Sequence, residues 1–123
     1  VRLRRVVPML RIFSVEKALE FYVDYLGCSV DWEHRFAAGM PLYMQVSRDG
    51  LVFHLTEHHG DACPGSAVFI DIDGIDALAA ELAARRYAYL NPAVEDAPWG
   101  ARVLRLTDPF GNRLLFNEYR PEG

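Results

Sequence analysis

Cysteine is scarce in this sequence. Only Cys28 and Cys63 occur among 123 residues, far apart and outside any C-x-x-C arrangement. A disulfide scaffold is thereby excluded, and a reduced, cytoplasmic protein is the expectation. Long apolar runs are missing too. No stretch approaches the roughly 20 apolar residues of a membrane span, so no membrane partner is expected. The opening VRLRRVVPMLR is basic but lacks the apolar run of roughly 7 to 15 residues that marks a secretory signal. Nor is there an excess of positive charge. Thirteen Lys and Arg against 17 Asp and Glu give a net charge of -4, which argues against nucleic acid and suits a cationic ligand. Serine-hydrolase elbows, phosphate-binding loops, H-E-x-x-H and dinucleotide fingerprints are all absent. Neither cysteine has a histidine at a defined spacing to activate it.

What is present is the composition of one soluble globular domain, 51% hydrophobic and 24% charged, long enough for one real core. Its pattern occurs twice. Val15, Ala18, Leu19, Tyr22 and Leu26 fall at helical spacing, with Ser14 to cap the start and Gly27 to end the helix. Ile75, Leu78, Ala79 and Leu82 repeat that phase about sixty residues later, with Asp73 or Gly74 at the N-cap. A strand-like segment precedes each helix, RVVPMLRIF and SAVFIDI. Three follow each: CSVDWE, PLYMQVS and LVFHLTE, then YAYLNP, ARVLRLT and NRLLFNE. At an offset of 61, Phe53, His54, Leu55 and Glu57 align with Leu114, Leu115, Phe116 and Glu118. The chain therefore predicts an α+β fold of two βαβββ modules, about 4–59 and about 65–120, within a single domain. The segment HHGDACPG has the composition of a linker between them.

The segments FYVDYLG and PWGARVLRLTDPFGNRLLF, with the doubled βαβββ order, resemble the glyoxalase/bleomycin-resistance superfamily, also called vicinal oxygen chelate proteins. The Pro-Trp-Gly loop and Asp-Pro-x-Gly-Asn most resemble the bleomycin-resistance branch. The resemblance implies two modules whose mixed sheets curl into a cup, and a homodimer with two clefts that often exchanges its first strand. It also implies a test. Metal-dependent members carry His, Gln or Glu at four inward strand positions, which fall here on Val7, His54, Ala67 and Leu115. Only His54 can bind a metal, whereas a divalent site wants at least three protein ligands. No metal and no cofactor is the expectation. His58 and His59 do not replace the missing ligands, because His54 and His58 would stand roughly 13 Å apart in an extended chain.

Strand alternation assigns the cleft face. Val68, Ile70 and Ile72 should pack under the helices, with Ala67, Phe69 and Asp71 on the open side. Val7, Met9, Arg11, His54, Arg113, Leu115 and Asn117 join that side by the same reasoning. Asp71 is read either as a partner for a cationic ligand or as an ion pair with Arg11 or Arg113. Trp32 and Phe36 precede AAGMP, a loop-like stretch placed to overhang the cleft, and each is read as either a half-buried packing residue or a cleft aromatic. Glu57 and Glu118 are solvated strand-end charges or general bases. Pro98 and Gly100 both oppose a regular strand, so Trp99 is displayed from a turn, where an indole can stack on an aromatic ligand.

The expected ligand contacts are Trp99, Gly100, Phe36, Trp32, His54, Phe69, Asp71, Arg102 and Asn117, with no catalytic residue. The function implied by the resemblance is metal-independent sequestration of a bleomycin-type glycopeptide antibiotic or a similar aromatic cationic compound. The alternatives are a glyoxalase-like lyase, isomerase or dioxygenase with a degenerate metal site, and a binder of some unrelated metabolite.

Overall fold

A computed structural model of the chain describes residues 1–87 and 90–119. Among these residues, eight strands and two α-helices follow in the doubled order expected. The first module comprises β1 (Met9–Arg11), α1 (Val15–Leu19), β2 (Ser29–His34), β3 (Tyr43–Arg48) and β4 (Leu51–Thr56). The second comprises β5 (Ala67–Asp71), α2 (Ile75–Arg85), β6 (Glu95–Ala97), β7 (Ala101–Thr107) and β8 (Arg113–Tyr119). Each module forms one four-stranded mixed sheet, ordered β1-β4-β3-β2 and β5-β8-β7-β6. The first strand of each module lies parallel to its last, and the remaining neighbours run antiparallel. No helix among the described residues is long and apolar enough to cross a membrane.

Local chemistry accounts for the helix ends. Ser14 Oγ accepts the amide hydrogen of Lys17 at the start of α1. Beyond Leu19 the helix widens into a π-helical stretch, Glu20–Tyr25, which buries Phe21, Tyr22 and Tyr25 and ends at Gly27 with φ +86°. Two arginines then cover the freed carbonyls: Arg48 donates to Leu26 O at 2.8 Å and Arg85 to Tyr25 O at 2.8 Å. Both also bind Glu81 of α2. At α2 the N-cap is Gly74, which has no side chain to offer. Glu118 supplies the cap from β8, accepting from the Gly74 and Ile75 amides at 2.7 and 3.3 Å.

One continuous core unites the modules. Leu10, Ile12, Phe21, Phe53 and Leu55 pack with Ile75, Leu82, Leu104 and Leu114, all fully buried. A polar hub crosses the same junction. Asp108, at the start of the Asp-Pro-Phe-Gly-Asn turn, accepts from the Tyr22 hydroxyl at 2.6 Å, the Phe110 and Asn112 amides, and Asn112 Nδ2. Asn112 Nδ2 also donates to Arg11 O, and Asn112 Oδ1 accepts from Ser66 N. The turn thus ties the π-helical stretch, β1 and the residue before β5 together ahead of β8, more than its hairpin composition suggested.

One predicted strand is displaced. Of YAYLNP, Ala88 and Tyr89 lie outside the described residues, and the others form no strand. The second strand of the second module is instead β6, a charged three-residue edge. Its ladder to β7, with Ala97 opposite Ala101, is set by the hairpin turn and not by apolar periodicity.

Candidate functional site

The candidate site is the pair of sheet faces turned away from the helices. Register places Tyr43, Gln45 and Ser47 of β3, and His54 and Thr56 of β4, on one such face. Met44, Val46, Phe53 and Leu55 point the other way into the core. On β2 simple alternation would send Trp32 toward the core side with Val30. A bulge between Val30 and Trp32 adds one residue to the strand. Asp31 and Trp32 consequently both reach the open face, since a bulge re-aims the side chains beyond it.

There the side chains form an ordered chain. Gln45 Nε2 donates to Asp31 Oδ2 at 2.9 Å, and Ser47 Oγ donates to Asp31 Oδ1 at 3.0 Å. These two bonds hold the Asp31 carboxyl below its usual pKa range. With its amide nitrogen engaged, Gln45 turns Oε1 toward His54 Nε2 at 3.0 Å. His54 must then carry its proton on Nε2, leaving Nδ1 to accept the Tyr43 hydroxyl hydrogen at 2.7 Å. Burial, and secondarily the charge of Arg5, lower the His54 pKa, so the ring is neutral at physiological pH. Trp32 stacks on Tyr43 with ring centroids 5.9 Å apart and planes 9° from parallel, and meets the His54 edge at 5.2 Å. Phe36 extends the aromatic surface through His34 and His58 and is 78% exposed. Asp31 escaped the sequence reading because a bulge leaves no mark in alternation, whereas Tyr43 and Gln45, which the regular alternation of β3 would have placed on this face, were not assigned to it.

The residues do not fit the metal that the fold can carry. His54 has both nitrogens engaged, and its neighbour in register is Met9, not Val7. The corresponding pair in the second module is Phe69 and Leu115. No group of three or more His, Cys, Asp or Glu among the described residues is arranged to hold a metal.

The second open face carries Phe69 and Asp71 of β5 and Leu115 and Asn117 of β8, in register as Phe69–Leu115 and Asp71–Asn117. Asp71 is exposed, and no ion pair joins it to Arg11 or Arg113. Asn117 is buried with Oδ1 lacking a partner. It borders a cavity of about 350 Å³ shared with Asp71, Asp73 and Tyr119. A larger cavity of about 610 Å³ follows the seam between the modules beside Ile70, Leu78 and the Arg48–Glu81 pair. Of the expected ligand contacts only Asp71 borders it, and the exposed aromatic surface lies elsewhere.

Trp99 occupies the tip of a three-residue hairpin. Ala97 pairs with Ala101, Gly100 N donates to Ala97 O at 3.2 Å, and Gly100 has φ +82°. Glycine takes that left-handed position without steric cost, and proline sets the start of the turn. The indole is 54% exposed, and no ring contact ties it to Trp32, Phe36 or Phe69.

Arg102 is a correction to the expected set. It shares the helix side of β7 with Leu104 and pairs with Asp76 of α2 and more distantly with Asp96. An odd–even shift relative to Val103, the partner of Asn117, turns it away from the open face. Glu57 and Glu118 are likewise occupied: Glu57 Oε1 accepts Leu42 N at 3.0 Å, and Glu118 caps α2.

No curated protein sequence matches the chain. Among solved structures, a bleomycin-binding protein complexed with bleomycin is 20% identical with a TM-score of 0.73, covering 96% of this chain and 100% of that one. An antibiotic-binding protein from Streptomyces sp. CB03234 is 23% identical with a TM-score of 0.71, covering 98% and 99%. A glyoxalase-related enzyme from Clostridium phytofermentans is 23% identical with a TM-score of 0.75, covering 98% of each chain. The family model described as glyoxalase superfamily protein matches residues 1–123. With the doubled βαβββ topology, that match establishes that the chain belongs to the glyoxalase superfamily.

Proposed function

We propose that this protein sequesters a small aromatic compound on its open sheet faces, without a metal and without chemically changing it. A bleomycin-type glycopeptide antibiotic is the first ligand to test, because an antibiotic-binding function occurs on this fold. The observation that carries the reading is the Trp32–Tyr43–His54 surface. A bulge turns Trp32 outward onto Tyr43, and hydrogen bonds already satisfy the His54 beside them. A locked neutral imidazole serves as a positioning group for the rings around it and is poorly placed to act as a base. Trp32, Phe36, Phe69 and Trp99 supply stacking surface. Asp71 and Asn117 accept from a cationic or N–H-bearing part of the ligand, and Gly100 presents Trp99. We further propose a cytoplasmic homodimer in which the first open face of one copy and the second of its partner bound a shared cleft.

Sequestration needs affinity and no turnover. A dissociation constant of 1 μM corresponds to about -8 kcal/mol. Chelator-treated protein is to be titrated with bleomycin while tryptophan fluorescence is followed, then again with Trp99→Phe and Trp32→Phe. Saturable quenching at micromolar or tighter affinity, weakened by either substitution, is the expected result. Absence of binding at high micromolar drug would remove the antibiotic reading.

A further inference from the structure

We infer that Arg11 is a ligand-binding residue for an anionic group, so that the compound held here is an aromatic acid as well as a base. This rests on the proposal that the open faces bind a small aromatic ligand. Arg11 ends β1 in register with Thr56, one pair beyond Met9–His54. Leu10 enters the core, so alternation sends Met9 and Arg11 to the open face. The residue is only 9% exposed, yet its Nε and Nη1 have no hydrogen-bond partner. No carboxylate among the described residues forms an ion pair with it, and the guanidinium lies 4.8 Å from the Phe13 ring centroid.

An arginine cannot escape this position by deprotonating, and a buried charge without a counter-ion is costly. Polar groups beside it are already engaged. Thr56 Oγ1 donates to Asp61 and accepts from His58 N, while both nitrogens of His54 bind Tyr43 and Gln45. The guanidinium therefore stands as an unmet donor on a face whose other members are satisfied.

The internal repeat sharpens the assignment. Met9–His54 in the first sheet corresponds to Phe69–Leu115 in the second, and Arg11–Thr56 to Asp71–Asn117. Equivalent positions thus carry opposite charges that do not pair with each other. Asn117 beside Asp71 holds an unmet acceptor, as Arg11 holds unmet donors. A ligand presenting an acid to Arg11 and an amine or amide N–H to the Asp71 side answers both.

The test uses an isosteric probe pair, 2-naphthoate and 2-naphthamide, titrated calorimetrically at low ionic strength into wild-type protein and Arg11→Gln. Naphthoate should bind the wild type at least tenfold more tightly than naphthamide. Arg11→Gln should abolish that preference and leave naphthamide affinity unchanged. The ligand-free variant should melt at or above the wild-type temperature, because an uncompensated charge has gone. A structural arginine would behave oppositely: a lower melting temperature, with both probes weakened, overturns the inference. So does a preference that is absent, or one that survives the substitution. If naphthamide binds and naphthoate has no advantage, the acid-binding role fails while the aromatic site stands. If neither probe binds, both fall.

Discussion

Replacing Asp108 tests whether the junction between the modules is held by one buried carboxylate. Asp108 is 5% exposed and accepts four hydrogen bonds, with Tyr22 at 2.6 Å and Asn112 Nδ2, Asn112 N and Phe110 N each at 2.8 Å. Asp108→Ala removes every acceptor at once. The Phe110 amide is only part-buried and can turn to water, and Asn112 Nδ2 keeps its bond to Arg11 O. The Tyr22 hydroxyl and the Asn112 amide are left with nothing. At about 1–3 kcal/mol for each buried donor orphaned, the loss comes to about 4 kcal/mol. An unfolding entropy of about 2.1 cal/mol/K per residue gives about 0.26 kcal/mol/K for this chain, so the midpoint should fall by about 15 °C. Tyr22→Phe removes one donor and leaves the carboxylate three partners. It should cost about 1–2 kcal/mol, or about 4–8 °C. The double variant should lose less than the sum of the two. Thermal and urea unfolding followed by near-ultraviolet circular dichroism measure all three. A loss below about 1 kcal/mol for Asp108→Ala, or strict additivity with Tyr22→Phe, would refute the hub.

Gly27→Ala is expected to destabilise by about 2 kcal/mol. The position has φ +86°, and an added Cβ would stand 3.1 Å from both Arg48 Nη1 and Arg85 Nη1, displacing the groups that cover the end of the helix. Urea titration reads the loss, and a stability equal to wild type would show that the two arginines give way freely. His54 predicts an acid-side effect. Its folded pKa is lowered, so between that value and the ordinary value near 6.5 the unfolded chain holds more protons. Stability is thus fully present above about pH 6.5 and declines as pH falls through that window. His54→Gln should flatten the decline, measured by urea unfolding at pH 5 and 7.5. A decline that keeps its slope would assign it to other groups.

Much of the fold was legible because burial leaves a periodic trace. Apolar strand runs such as LVFHL and RLLF stand out between turn signals and helices follow their 3.6-residue stripe, so seven strands and both helices fell in their predicted segments. The repeat supplied topology, since a βαβββ unit that occurs twice must solve its sheet twice. Displacement of the second module's second strand to β6 has the complementary cause. An exposed edge of Glu95, Asp96 and Ala97 buries too little to leave a pattern.

The candidate site divides along the same line. That His54 faces away from the core, that Asp71 and Asn117 share a sheet face, and that Trp99 projects from a turn follow from alternation and turn chemistry, both of which are local. Asp31 and Trp32 share a face only because the ladder between β2 and β3 slips by one residue, and that is a property of pairing. Arg102 and Glu118 became structural groups because α2 packs over the second sheet and brings Asp76 and the Gly74 amide to them. The unpaired guanidinium of Arg11 follows the same rule. Sequence determined that a cation sits at the end of β1, and tertiary packing determined that no anion among the described residues reaches it. Local backbone preferences act between near neighbours along the chain, whereas hydrogen-bond satisfaction is decided among groups that only folding brings together.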